Sequence, residues 1–198
     1  SINSFIAGEC RRHPEFYGFA TLHPGFENLE AEVERILELG LHGVKLHPDF
    51  QRFDIDAPAA MELYRLRARA GLPILFHTGD NRYDYSAPAR MARVARLFPD
   101  LVCIAAHFGG YNCWQESSRY KGLDNVYFDT SSSLFALPKE DALALIDLLG
   151  EDRFFFGTDF PMWDHQGELA RFLALGLPED TRQKLFYQSF QRVFGVSL

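Results

Sequence analysis

The sequence lacks the features that mark several large classes of protein. Its three cysteines, Cys10, Cys103 and Cys113, are odd in number and have no C-x-x-C spacing. That excludes a zinc ribbon and a disulfide framework, and it suits a reducing, cytoplasmic setting. No apolar run approaches the roughly 20 residues of a membrane span, and no signal-peptide pattern is present, so no membrane partner is expected. There is neither a Lys/Arg stripe nor an RNP-like aromatic motif, and the net charge is −7. Nucleic acid is therefore not an expected partner. The phosphate-cradling turns G-x-G-x-x-G and G-x-x-x-x-G-K-[ST] are both missing.

What is present is apolar and periodic. The chain of 198 residues is 47% hydrophobic and holds 19 phenylalanines, enough for a single domain over 1–198 with a sizeable core. Short apolar runs start near residues 17, 43, 73, 101, 126 and 154. Helical patterns separate them, among them one that opens at Asn28 as N-cap and one that opens at Pro58. The starts lie 26, 30, 28, 25 and 28 residues apart, which is a βα period rather than a sequence repeat. Near-continuous apolar strands are those of a parallel sheet covered on both faces. An open doubly wound sheet and a (β/α)₈ barrel both satisfy that pattern. The missing phosphate turn counts against the first. Polar residues at several strand ends favour the second, a TIM-type α/β barrel.

Those polar strand ends are the chemical signal. The stretch Phe154-Phe155-Phe156-Gly157-Thr158-Asp159 carries one carboxylate at the end of an aromatic run, costly to bury unless paired. His47, His77 and His107 end three earlier runs. Residues two apart in a strand share a direction. Behind the four strand-end residues lie Lys45; Leu75 and Pro73; Ala105 and Cys103; and Gly157 and Phe155. Imidazole nitrogen and carboxylate oxygen together suit a divalent metal, zinc first, with manganese and iron as alternatives. His47 and His23 each precede a proline, and that context also fits turn chemistry. Asp129 ends its strand with ambiguous parity, and Lys45 fits either a carbamylated bridging ligand or a buried cation. Arg82 and Tyr83, in the connection after His77, are candidates to bind an anionic or aromatic substrate group, with His47 as a further substrate-binding candidate and Trp163 on the rim of the same opening.

Taken in order, Gly43-Val44-Lys45-Leu46-His47-Pro48, Pro73-Ile74-Leu75-Phe76-His77-Thr78-Gly79, Ala105-Ala106-His107-Phe108-Gly109-Gly110 and Phe156-Gly157-Thr158-Asp159-Phe160-Pro161 resemble the amidohydrolase-related family. This is the branch of metal-dependent TIM-barrel hydrolases that includes aminocarboxymuconate-semialdehyde decarboxylase. The resemblance implies that His77 is the fifth-strand metal ligand. It implies that His107 is a sixth-strand histidine that binds metal or holds water and substrate. Asp159 is then the eighth-strand aspartate, both ligand and proton acceptor. Six of eight βα units are present on this mapping. The family's first-strand His-x-His pair is absent from this sequence, so the expectation is an incomplete barrel from a longer protein. Two open sheet edges would follow, with association to a second copy or to an N-terminal segment to cover them.

Three functions compete. The first is hydrolysis of a small amide, ester or lactone through a metal-activated water, with His107 and Asp159 as catalytic residues. The second is non-oxidative decarboxylation of an unsaturated or aromatic acid. The third is an inactive barrel serving as a binding module.

Overall fold

The computed structural model of this chain describes residues 1–196. Six parallel strands run in sequential order across one sheet: β1 (Phe19–Thr21), β2 (Gly43–Leu46), β3 (Ile74–Phe76), β4 (Cys103–Ala105), β5 (Val126–Asp129) and β6 (Phe154–Phe155). Sequential order with a helical crossover between each pair is the winding of a TIM-type barrel. Here β1 and β6 are the two edges, so the six strands form an open arc.

The helices are α1 (Ile2–Arg12), α2 (Leu29–Glu38), α3 (Pro48–Gln51), α4 (Pro58–Arg69), α5 (Pro88–Leu97), α6 (Lys139–Leu149), α7 (His165–Leu173), α8 (Glu179–Gln183) and α9 (Ser189–Phe194). Asn28 caps α2 as its side-chain type predicts, accepting from the Ala31 N–H at 3.1 Å. Between β4 and β5 the chain forms a 3₁₀ helix, Trp114–Tyr120. A π-helical turn, Lys184–Gln188, separates α8 from α9. No helix among the described residues is long and apolar enough to cross a membrane.

Register shows where the core lies. Val44, Ile74, Cys103 and Val126 are aligned across four strands and are wholly buried, as are Leu46, Phe76, Ala105 and Phe128 beyond them. This face packs under the helices. The alternate face carries Thr21, Lys45, Leu75, Ile104 and Tyr127, and all of these except Ile104 are only half-buried. Cys103 and Ala105 therefore face the helices and do not line the concave side behind His107, contrary to the simple alternation. The chain reverses at His107 and Phe108, whose φ values are +63 and +53. That turn carries the imidazole back to the concave side.

The two edges are less open than the sequence suggests. The Asn3 amide binds both edge-facing groups of Thr21, accepting from its N–H at 2.9 Å and donating to its carbonyl at 3.1 Å. One side chain thus stands where a neighbouring strand would pair. Gly18, just before β1, lets α1 approach, since a Cβ there would lie 2.5 Å from Cys10 Sγ. On the opposite edge, the Phe156 N–H donates to the Leu185 carbonyl in the π-helical turn at 2.7 Å. The strand expected to reach Thr158 stops pairing at Phe155, and this bond to the C-terminal helical segment takes over. Aromatic contacts then carry α9 to the other edge, with Phe190 against Tyr17 at 5.2 Å and Phe194 against Phe19 at 5.8 Å.

Asn3→Ala should therefore cost about 1–3 kcal/mol, because two edge groups of Thr21 lose their partner. Urea unfolding should show a lower midpoint at unchanged slope. An unchanged midpoint would remove Asn3 as an edge cap.

Candidate active site

The concave mouth of the arc is a cleft of about 260 Å³ that includes Lys45, His77, His107 and Asp159 in its lining. A larger cleft, about 540 Å³, lies beside the start of α1. Its histidine, His23, is used in turn structure: Nδ1 accepts from the Gly25 N–H, and Nε2 faces the Gln51 carbonyl at 3.2 Å. The smaller cleft is the one with converging chemistry.

His77 follows β3 directly, and its N–H still pairs with the Leu46 carbonyl of β2 at 2.9 Å. The connection beyond it packs tightly against the loop after β4. Gly79 has φ +75, and a Cβ there would meet the Gly110 backbone at 2.6 Å. His107 is held by Asp129, whose Oδ1 accepts from the His107 N–H at 3.0 Å, the Ser131 N–H at 3.0 Å and the Ser131 hydroxyl at 2.6 Å. Left-handed backbone at a histidine is strained and persists only where its surroundings over-determine it. Asp129, overlooked as a site residue because its parity is ambiguous in the sequence, supplies that constraint.

Asp159 also has a left-handed backbone, φ +58. Its Oδ2 accepts from Ser132 Oγ at 2.6 Å, and Ser132 Oγ in turn accepts from Trp163 Nε1 at 3.0 Å. Asp159 Oδ1 has no hydrogen bond among the described residues. Trp163 lines the cleft and stacks on Phe135 at 4.7 Å. Arg82 reaches the rim, but its Nε and Nη2 are bound to the buried Asp80, at 3.0 and 2.7 Å. Tyr83 lies outside this cleft, beside Phe50 and Tyr85.

His47 serves local structure first. Its ring caps α3 by accepting from the Phe50 N–H at 3.4 Å, and it is sandwiched between Phe50 at 3.8 Å and His77 at 3.9 Å. The His47 and His77 planes differ by only 10°. Stacked rings this close to parallel have no point near both that lies in both planes, so these two imidazoles cannot ligate one ion as arranged, although His47, Asp49 and His77 offer donor atoms within 4.8 Å. His77 and His107 meet differently. Their planes cross at 65°, and His77 Nδ1 faces His107 Nε2 at 3.0 Å. The carboxylate of Asp159 lines the same cleft, and two imidazoles and a carboxylate are the side-chain types that hold a divalent cation.

Electrostatics keep the imidazoles neutral. Burial, then Lys45 and His107, lower His47 from its ordinary 6.5 to about 4. Burial, then His107 and His47, lower His77 strongly, and burial also lowers His107 against the opposing pull of Asp129. Burial lowers Lys45, while Asp129 and Asp159 raise it. A neutral imidazole has the lone pair that a metal or a proton requires. The folded pKa values lie below the unfolded one, so these histidines' contribution to stability is complete above about pH 6.5 and declines as the pH falls, for His47 through about 4. Urea unfolding of the metal-free chain should show that decline, and His47→Gln should reduce it. Stability unchanged between about pH 7 and 4 would contradict the buried neutral histidines.

Comparison with known proteins places this geometry. An uncharacterized TIM-barrel protein, Bb4693 from Bordetella bronchiseptica, superposes with a TM-score of 0.84 at 24% identity, over 98% of this chain and 72% of that one. A dihydroxybenzoic acid decarboxylase from Polaromonas sp. JS666, with bound manganese, gives 0.78 at 19% identity, over 98% and 74%. A candidate 2-pyrone-4,6-dicarboxylic acid hydrolase from Pseudomonas putida gives 0.74 at 20%, over 99% and 78%. At these identities the likeness shows the fold. The sequence model of the amidohydrolase family (Amidohydro_2) matches residues 1–196, and the chain belongs to that family.

Proposed function

We propose that this protein is a metal-dependent hydrolase of a small amide, ester or lactone. The observation that carries this reading is the state of Asp159. One oxygen is fixed by Ser132 and the other, on an exposed side chain, is open to a ligand, in the cleft that His77 and His107 also line. His77, His107 and Asp159 would hold the cation, zinc or manganese, and a cation bound there supplies Lewis acidity toward a carbonyl and lowers the pKa of water. The rest is done by side chains of the chain itself.

Asp159 accepts the proton of the attacking water with the oxygen that Ser132 leaves free. His107 is locked in orientation by Asp129 and Ser131, so it positions water and substrate without reorganising. Lys45, whose charge burial disfavours and Asp129 and Asp159 partly restore, lines the cleft where negative charge develops on the substrate oxygen. Trp163 walls one side of the cleft, with Phe135 stacked on its ring. The three cysteines are all unpaired, which supports a reducing, cytoplasmic setting.

Arg82 at the rim favours a second reading, decarboxylation of an aromatic or unsaturated acid. Asp80 occupies two of its guanidinium nitrogens and leaves Nη1 for a substrate carboxylate. The manganese-holding relative acts on an aromatic acid.

Carbon dioxide release measured beside lactone, ester and amide hydrolysis, with zinc or manganese supplied, separates the two reactions. In either assay Asp159→Asn should lower kcat about 10²–10⁴-fold while the fold is kept. Wild-type rates in that variant would contradict the assignment.

A further inference from the structure

Asp49 lies in the first turn of α3 with its side chain fully enclosed, and the proposed chemistry does not use it. Its Oδ2 accepts a hydrogen bond from the buried Ser86 hydroxyl and lies 3.9 Å from His77 Nε2. Asp49 Oδ1 and His77 Nε2 are both buried, and neither has a hydrogen-bond partner among the described residues. Two orphaned polar atoms on adjoining groups are costly, and native interiors rarely leave them so.

The neighbouring bonds show where the protons sit. His107 Nδ1 faces the Ser131 carbonyl at 3.1 Å and the Ser131 hydroxyl oxygen at 3.0 Å. A carbonyl only accepts, and the hydroxyl spends its own proton on Asp129. Nδ1 of His107 therefore carries the N–H, and its Nε2 is a lone pair. That lone pair faces His77 Nδ1 at 3.0 Å, so His77 Nδ1 carries a proton as well. In a neutral ring the Nε2 of His77 is then a bare lone pair set against a carboxylate. The arrangement is satisfied at every junction except this last one.

We infer that Asp49 is the positioning carboxylate for a metal-bound His77, selecting the tautomer that leaves Nδ1 free to ligate. The inference rests on the metal centre proposed above. When a cation takes the facing nitrogens, the proton leaves His77 Nδ1 for solvent and one arrives at Nε2, with no net release. The new Nε2–H then faces Asp49 Oδ2, 3.9 Å away, and a small closure of that gap gives Nε2 the partner it lacks. Ser86 holds the carboxylate in place. Ligating histidines commonly hand their other N–H to a carboxylate, and loss of that partner typically costs 10–100-fold in metal affinity.

The test compares wild type, Asp49→Asn and Ser86→Ala as full chains. It uses zinc and manganese titrations, melting with and without chelator, and ¹⁵N NMR of the His77 ring. Asp49→Asn should bind both cations about 10–100-fold more weakly. It should melt no lower than wild type when metal-free, because its amide can donate to the His77 lone pair. A merely structural Asp49 would instead lower that melting temperature. Ser86→Ala should weaken binding less, in the same direction, and it decides the question if Asp49→Asn does not fold. The metal-free wild type should show the His77 proton on Nδ1. Binding within twofold of wild type in both variants would overturn the inference, as would a metal-free His77 protonated on Nε2. A wild-type chain that binds neither cation would contradict the metal centre itself, and this inference with it.

Discussion

The mouth of this protein depends on one anchored oxygen, Asp129 Oδ1. It accepts from the His107 N–H, the Ser131 N–H and the Ser131 hydroxyl. Those bonds hold a left-handed turn at His107 and Phe108 that would otherwise be unfavourable for side chains of that size. The turn moves His107 off the face that Cys103 and Ala105 share with the helices and onto the concave side. Ser131 then fixes the imidazole through Nδ1, which leaves Nε2 facing His77. Position and orientation of the His107 ring follow from one carboxylate and its serine partner.

The rest of the fold supplies a rigid frame and an open side. The face under the helices is packed and wholly apolar at its centre, whereas the concave face is half-buried and carries the chemistry. Asn3 and the Leu185 carbonyl, each from a helical segment, satisfy backbone groups on the two sheet edges. A polar side chain paired to an edge does locally what a strand does by ladder, and it blunts a surface otherwise prone to further pairing.

Much of this was legible in the sequence, and for a physical reason. Parallel strands buried on both faces leave apolar runs, and the six runs starting near 17, 43, 73, 101, 126 and 154 match six strands to within two residues. Strand-end polar residues mark the mouth, and His77, His107 and Asp159 do line one cleft. What alternation could not show is where the backbone breaks it. His107 reaches the mouth through positive φ, not through parity. Asp129 and Asp49 act across 22 and 28 residues of chain, on His107 and His77 respectively. Contacts of that range leave no periodic trace. Arg82 looked like a free cation in the sequence because Asp80, two residues earlier, is only seen to bind it once the loop is folded.

The central proposal is that His77, His107 and Asp159 together hold a divalent cation in the mouth. Anomalous diffraction from crystals of this chain grown with manganese addresses it most directly. The account predicts one strong peak about 2.0–2.2 Å from His77 Nδ1, His107 Nε2 and an oxygen of Asp159. No peak in the mouth, or a peak bound by His47 in place of these residues, would contradict it.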